Sequence, residues 1–270
     1  MGKFTVFGGR GFIGSEFVKE LNQQGHEVYV PERSDEEIYT KNLGTIIYSA
    51  GYGDCQKDPH NVLHANVILL SELLERAIFD KLVYISSTRV YMNQKSSDEN
   101  EDLIICNDDS RRLFNLTKLT AEELCLKSGR NCLIIRPSNV YGLALNSTLF
   151  LPSIIKDAIN LSQVDMYVNP SYSKDYVSVN DVVKSTLLLL AEDSIARVIN
   201  IASGNNVTAM EIAKVLKAET NSKIVWHNVI NSREIFPVTK IAMINEIIDY
   251  KFSNVLDDLK IMINQYRNKL

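Results

Sequence analysis

The chain has 270 residues, 45% of them apolar and 23% charged, with a formal net charge of −4. That length buries a sizeable core in one or two domains, and the balance excludes a disordered chain. The longest aliphatic run, Leu187 to Ala191, is far short of the roughly 18 apolar residues of a membrane span, and no dense Lys/Arg stripe is present to neutralise nucleic-acid phosphates. The start MGKFTVFGG resembles neither a secretory leader nor a myristoylation signal, so the chain is expected to begin in folded structure. Cys55, Cys106, Cys125 and Cys132 contain no CxxC pair, which points to a reducing cytoplasm rather than a disulfide framework or zinc knuckle. His60 and His64 are four apart, but no HExxH glutamate lies between them, and no metal is expected.

Residues 3–7, KFTVF, form a β-rich run; GGRGFIG then turns into SEFVKELNQQG, with apolar residues at helical spacing. Gly25 closes the helix and HEVYV supplies a second strand, completing a βαβ unit. TIIYSA at residues 45–50, a helix over 61–78, the strand KLVYISS, a helix over 110–127 and the strand NCLIIRP continue the alternation. Such alternation predicts an α/β, doubly wound parallel sheet. Between the last two elements before NCLIIRP, residues 96–109, SSDENEDLIICNDD, read as a solvated acidic loop. After Pro137 the alternation weakens through SNVYGLALNSTLFLPSIIKDAI, DYVSVNDVVKSTLLLLAE, the strand RVINIAS and a helix over 208–219, so the C-terminal third is expected to build a smaller lobe. Asp181 is placed to cap the helix VVKSTLLLL.

Gly8, Gly11 and Gly14 follow a strand and open a helix, the context in which such spacing marks a dinucleotide site. A side chain at Gly8 obstructs the tight turn, one at Gly11 holds a pyrophosphate away, and one at Gly14 separates helix from sheet. The free amides at the helix start then receive phosphate. Glu32 lies about twenty residues beyond, where a carboxylate accepts from ribose hydroxyls and favours NAD. Arg10 and Arg33 stand ready instead to pair with a 2′-phosphate and favour NADP. The cofactor is NAD or NADP, and both readings stay open.

GGRGFIG, SSTRVY, the lysine of FNLTK, RPSNVYG and SKDYVSVND, together with Asn66 in HANVILLSELLERA, resemble the extended short-chain dehydrogenase/reductase family almost from end to end. The resemblance implies a Rossmann-type doubly wound parallel sheet with a smaller C-terminal substrate-binding lobe. Residues 1–165 would form the NAD(P)-binding domain, with 175–203 returning to it, and 166–174 with 204–270 the substrate lobe. It also implies a nucleotide-diphosphate sugar as partner and a homodimer through the helices near 61–78 and 110–127. Phe12, Ile13, Ala50 and Pro137 join the glycines around the cofactor, and Lys118 grips the nicotinamide ribose. Ser87 matches the active-site hydroxyl, with Thr88 one residue of register away. Asn139, Lys174 and Arg233 match positions that contact substrate, Lys174 standing where arginine is usual.

The family's catalytic tyrosine position holds Phe114. A phenol delivers or accepts a proton when hydride moves at a sugar carbon, and a phenyl ring has no titratable group. Three explanations stay open: an engineered Tyr→Phe change that traps substrate, a naturally non-catalytic NAD(P) or nucleotide-sugar binder, or another proton donor. Tyr52, Tyr91 and Tyr141 are the candidate donors. Ser87, Thr88 and Arg89 replace the triplet expected of a sugar 4,6-dehydratase, so the implied reaction is epimerisation or ketosugar reduction.

Overall fold

The computed structural model describes residues 1–145, 147, 149–192, 197–228 and 234–269. The first half runs β1 (Lys3–Phe7), α1 (Phe12–Gln23), β2 (Glu27–Tyr29), β3 (Thr45–Tyr48), α2 (Pro59–Leu63), a π-helical turn (His64–Ile68), α3 (Leu69–Arg76), β4 (Lys81–Ile85), α4 (Arg112–Lys127) and β5 (Cys132–Pro137). The second runs β6 (Asn139–Tyr141), α5 (Phe150–Asn160), β7 (Gln163–Met166), β8 (Ser173–Ser178), α6 (Val179–Ala191), β9 (Val198–Ile201), β10 (Asn206–Thr208), α7 (Ala209–Thr220), β11 (Lys223–Trp226), α8 (Ala242–Ile247) and α9 (Val255–Arg267). Six strands form one parallel sheet in the order β2-β1-β3-β4-β5-β9. The order reverses between β1 and β3, and the crevice beyond the carboxyl ends of such strands is where open α/β sheets bind ligands.

Side-chain alternation along each strand feeds both faces. Val6, Ile47, Val83 and Ile135 pack with Phe17, Leu21, Val182 and Ile244 from α1, α6 and α8. Their neighbours Phe7, Ile46, Leu82 and Ile134 pack with Leu70, Leu73 and Ala121 from α3 and α4. Burial on both faces explains why these strands read as continuous apolar runs. A third cluster joins α5 and β7 to α7 and α9 through Ile155, Met166, Leu216 and Leu259. Residues 150–165, expected with the sheet, thus pack in the same body as α7 and α9, whereas Ile244 and Ile248 of the expected substrate lobe pack against the sheet. We propose a division that follows this packing.

Several local expectations change. The helix expected over 61–78 begins at Pro59, because the Asp58 carboxylate accepts from Asn61 N at 3.1 Å, and it is interrupted by the π turn, which points Asn66 inward with no exposure. Ser178, not Asp181, caps α6: its hydroxyl accepts from Asp181 N at 3.0 Å. The Asp181 carboxylate instead accepts from Tyr250 Oη at 2.8 Å and Ser253 N at 2.9 Å, tying the C-terminal segment to α6. The acidic loop is only partly solvated. Ser97 is buried, its hydroxyl donating to Val238 O at 2.9 Å and accepting from Lys240 N at 2.8 Å. Glu32 lies three residues past the end of β2.

At the carboxyl ends of β4, β5 and β9 lies a buried polar network. Arg136 of β5 donates to both carboxylate oxygens of Glu122 on α4, at 3.0 and 2.5 Å, and to Tyr91 Oη at 2.6 Å. Tyr91 donates to Asn200 Oδ1 at 2.9 Å, and Ser86 donates to Glu122. Removing one member of a buried ion pair strands the other without water, at a cost of about 3–5 kcal/mol. Arg136→Met should therefore lower the denaturant unfolding free energy by about that amount, while Lys19→Met at the exposed Glu16 pair leaves it unchanged. Equal midpoints for the two variants would refute the structural weight given to this network.

The glycine turn packs tightly against β3. A Cβ at Gly14 would lie 2.2 Å from Gly8 O and 2.7 Å from Ser49 Oγ, whereas one at Gly11 would meet just Gly8 O, at 3.2 Å. Gly14→Ala should cost about 1–3 kcal/mol from overpacking, and Gly11→Ala should melt near the parent in a thermal scan. A stable Gly14→Ala protein would contradict this packing.

Candidate active site

β1 is followed directly by Gly8, at φ +75°, where a Cβ would lie 2.6 Å from Ser49 O. The close approach requires glycine and brings the turn against the end of β3. α1 starts at Phe12 behind Gly11, with no side chain capping its first-turn amides and no acidic residue there. The amide end of the helix is thus left to an anion. The near-open space at Gly11 against the tight fits at Gly8 and Gly14 is the arrangement a pyrophosphate needs, so these residues fit a dinucleotide. Of the neighbours expected around it, Ile13 packs on the sheet's α1 face, Ala50 packs on the opposite face, and Phe12 lines the large cavity beside Gly142.

Arg10 and Glu32 meet each other. Arg10 Nη1 donates to Glu32 Oε2 at 3.0 Å, its Nη2 contacts Oε1, and both side chains are largely exposed. The structure joins the two groups that argue for opposite cofactors. Arg33 is exposed.

Lys118 is not the solvated helix lysine that its surroundings on α4 would allow. It is 4% exposed, and its ammonium donates to Ile85 O at 2.8 Å beside the Tyr84 and Phe114 rings, 4.8 and 5.6 Å from their centroids. Burial lowers its pKa to about 8, against a smaller upward pull from Glu122. The turn after β3 closes over it: a Cβ at Gly51 would lie 2.7 Å from Lys118 Nζ and 3.0 Å from Asn66 Oδ1. Asn66 holds that turn, accepting from Tyr52 N at 3.0 Å while donating to Tyr52 O and Thr117 Oγ1, each at 3.0 Å.

Phe114 stands one helical turn before Lys118, with the Arg111 guanidinium 4.7 Å from its ring centroid. Ser87 follows β4; its Oγ accepts from Arg89 N at 3.1 Å and caps a short 3₁₀ turn that buries Thr88. Beyond these groups opens a cavity of about 690 Å³, lined by Phe12, Arg111, Asn139, Tyr141, Lys174 and Glu234 among others. That is within the size range of small-molecule sites. Asn139 Nδ2 donates to Asp175 O at 2.7 Å, and Pro137, buried at the end of β5, precedes Ser138, whose hydroxyl donates to Asp175 Oδ1 at 2.6 Å. Burial lowers Lys174 to about 8, opposed by Glu234, whose carboxylate is 3.9 Å away. Arg233 lies outside the described residues.

Two of the three alternative proton donors, Tyr91 and Tyr141, are engaged elsewhere. Tyr91 belongs to the buried network, and burial pushes its pKa up to about 12. Tyr141 donates to Asp258 Oδ2 at 2.6 Å, and burial raises it further. Tyr52 is part-exposed with its backbone held by Asn66. Cys125 is buried in the core of the α4 face. Among the described residues, no group of three or more His, Cys, Asp or Glu side chains could hold a metal ion.

Sequence reading passed over Gly51, Arg111 and Glu234. The available signals were the GYG after β3 and the position of Arg111 three residues before Phe114, one helical turn away. Glu234 offered none, because its partners are distant in sequence. Arg89 Nη2 reaches it at 2.9 Å and Asp109 at 2.7 Å, and Tyr172 donates to it at 3.0 Å.

Residues 4–202 match the NAD dependent epimerase/dehydratase family. A GDP-L-fucose synthase of Sinorhizobium fredii is 22% identical over 79% of this chain and 78% of its own. A tyrosine-to-phenylalanine mutant of UDP-glucuronic acid 4-epimerase from Bacillus cereus, solved with UDP-4-deoxy-4-fluoro-glucuronic acid and NAD, is similar at TM-score 0.86 and 17% identity, over 99% of this chain and 100% of that one. RMD from Pseudomonas aeruginosa, complexed with NADPH, is similar at TM-score 0.81 and 19% identity over the whole of both chains. The superpositions establish a Rossmann fold, and with the match across residues 4–202 the chain belongs to the NAD(P)-dependent epimerase/dehydratase family of extended short-chain dehydrogenases/reductases.

Proposed function

We propose that the glycine turn holds NAD(P), that the large cavity takes a nucleoside diphosphate sugar, and that the protein is built as a nucleotide-sugar epimerase or ketosugar reductase. The observation that carries this reading is the buried Lys118 ammonium, placed beside the Phe114 ring and under the turn after β3. Desolvating an ammonium costs free energy, and lysines perturbed in this way concentrate at functional sites. The relatives' activities on GDP- and UDP-linked sugars support the substrate class.

Gly8, Gly11, Gly14, Phe12 and Ile13 would hold the pyrophosphate end, with Ala50 and Pro137 along the cofactor. A bound nicotinamide supplies hydride transfer. Lys118, still largely protonated at neutral pH, donates to the ribose. Ser87 Oγ already accepts from Arg89 N, which leaves its O–H to donate to a sugar oxygen; this favours it over the more buried Thr88. Asn139 and Lys174 face the substrate, Lys174 as a point charge rather than a bidentate fork. Phe114 shields the site from water and carries no proton.

The missing phenol predicts slow turnover, since a positioned acid–base group is worth about 10²–10⁴ in rate. Phe114→Tyr should raise turnover by about that factor with a panel of nucleotide sugars and ketosugars. The adjacent cations would also lower the new phenol's pKa. Binding without turnover in both proteins would favour a non-catalytic binder and overturn the enzyme reading. Parallel NADH and NADPH titrations assign the cofactor. Glu32 repels a 2′-phosphate even while paired with Arg10, so NADH should bind more tightly, and tighter NADPH would give the decision to Arg10 and Arg33.

For assembly we propose a homodimer through the helices α2–α3 and α4, where Leu63, Ile68 and Leu116 are exposed apolar residues. Light scattering at micromolar concentration should return twice the chain mass. A single-chain mass would overturn the dimer.

A further inference from the structure

Among the described residues, the charges around the cavity beside Phe114 do not balance. Arg89, Arg111 and Lys174 face one another there, against Asp109 and Glu234. Arg89 Nη2 alone meets both acids, at 2.7 and 2.9 Å, and Lys174 lies 3.9 Å from the Glu234 carboxylate. Although burial opposes it, the Arg89 contacts hold Glu234 below the usual carboxylate range, so it is ionised and committed. Arg111 is left over. Asp109 accepts from its backbone N at 2.8 Å, but among the described residues its guanidinium makes no hydrogen bond or ion pair and rests on the Phe114 ring at 4.7 Å. It keeps solvent access through the cavity mouth, while the surrounding protein desolvates it enough to lower its pKa, aided by the Arg89 charge.

An exposed guanidinium whose fork is open at the cavity lining is available to an anion, and a planar carboxylate completes such a fork with two charge-assisted hydrogen bonds. Its place fixes which part of a ligand it meets. Phe114 occupies the position from which a proton would pass to or from a sugar carbon, so a group lying on that ring meets a substituent of the sugar. The diphosphate falls to Asn139 and Lys174, which line the same cavity. We propose that Arg111 binds a carboxylate on the sugar ring, making the substrate a nucleoside diphosphate uronic acid; the inference rests on the nucleotide-sugar reading above. It assigns Arg111 to specificity, through binding, and requires no proton transfer from it.

The test is calorimetric binding in the presence of saturating NADH. UDP, GDP, dTDP and CDP are titrated first to choose the base. The uronic acid and neutral sugar of that base, such as UDP-glucuronate and UDP-glucose, are then compared on the parent, Arg111→Gln and Arg111→Lys. The uronate should bind about ten- to a hundredfold more tightly to the parent, as expected of charged hydrogen bonds. Arg111→Gln should abolish the preference without changing affinity for the neutral sugar, and Arg111→Lys should retain part of it. Equal binding of uronate and neutral sugar, a preference that survives Arg111→Gln, or loss of both ligands in that variant would each overturn the assignment while leaving the nucleotide-sugar reading standing. Failure of all four nucleoside diphosphates and their sugars to bind would overturn that reading and this inference together.

Discussion

The Glu122–Arg136 pair is the constraint on which the arrangement of the site depends. α4 carries both Phe114 and Lys118, and nothing in an amphipathic stripe fixes how far a helix slides or turns along the sheet. The buried bidentate contact from β5 does fix it, because an ionic pair of this geometry tolerates little displacement before its desolvation is uncompensated. Ser86 and Tyr91 extend the same contact to the segment after β4, and Asn200 extends it to β9. The groups around the cavity are thus set by polar contacts beneath it, while the two apolar clusters supply the bulk of the driving force.

Much of the sheet was readable from the chain because its determinants are local. Strands β1, β3, β4 and β5 are short apolar runs bounded by turns, and the glycine turn is a steric requirement written in three residues. What escaped depended on distant partners. Asp181 has the chemistry of a cap, yet Ser178 takes that role and the carboxylate ties down residues 250–253. The acidic run 96–109 has the composition of a solvated loop, but Ser97 is clasped by residues 238 and 240. The site shows the same division. Lys118 and Phe114 could be placed by motif, whereas the surplus charge of Arg111 emerges only after Arg89 has been seen to take Asp109 and Glu234.

Arg10 and Glu32 show how a sequence conflict becomes a structural coupling. Read separately, each argues for a different dinucleotide. Paired across the turn, each moderates the other: the carboxylate is partly neutralised and the guanidinium partly occupied. Both side chains remain mostly in water, where such a pair is weak, so a ligand can rearrange it.

The π turn between α2 and α3 has a consequence for how the chain tolerates insertion and deletion. It adds a residue to one turn of helix, and each residue of a helix advances about 100° around the axis. With that residue present, Asn66 reaches Tyr52 while Leu70 and Leu73, downstream, still face the sheet. Deleting one residue here would relax the helix to regular α geometry and leave those two demands out of phase. Either the asparagine would leave the turn over Lys118 or the leucines would rotate out of the core. A one-residue gap at this point would therefore be felt in the active site, because Asn66 reaches both the turn over Lys118 and Thr117 on α4.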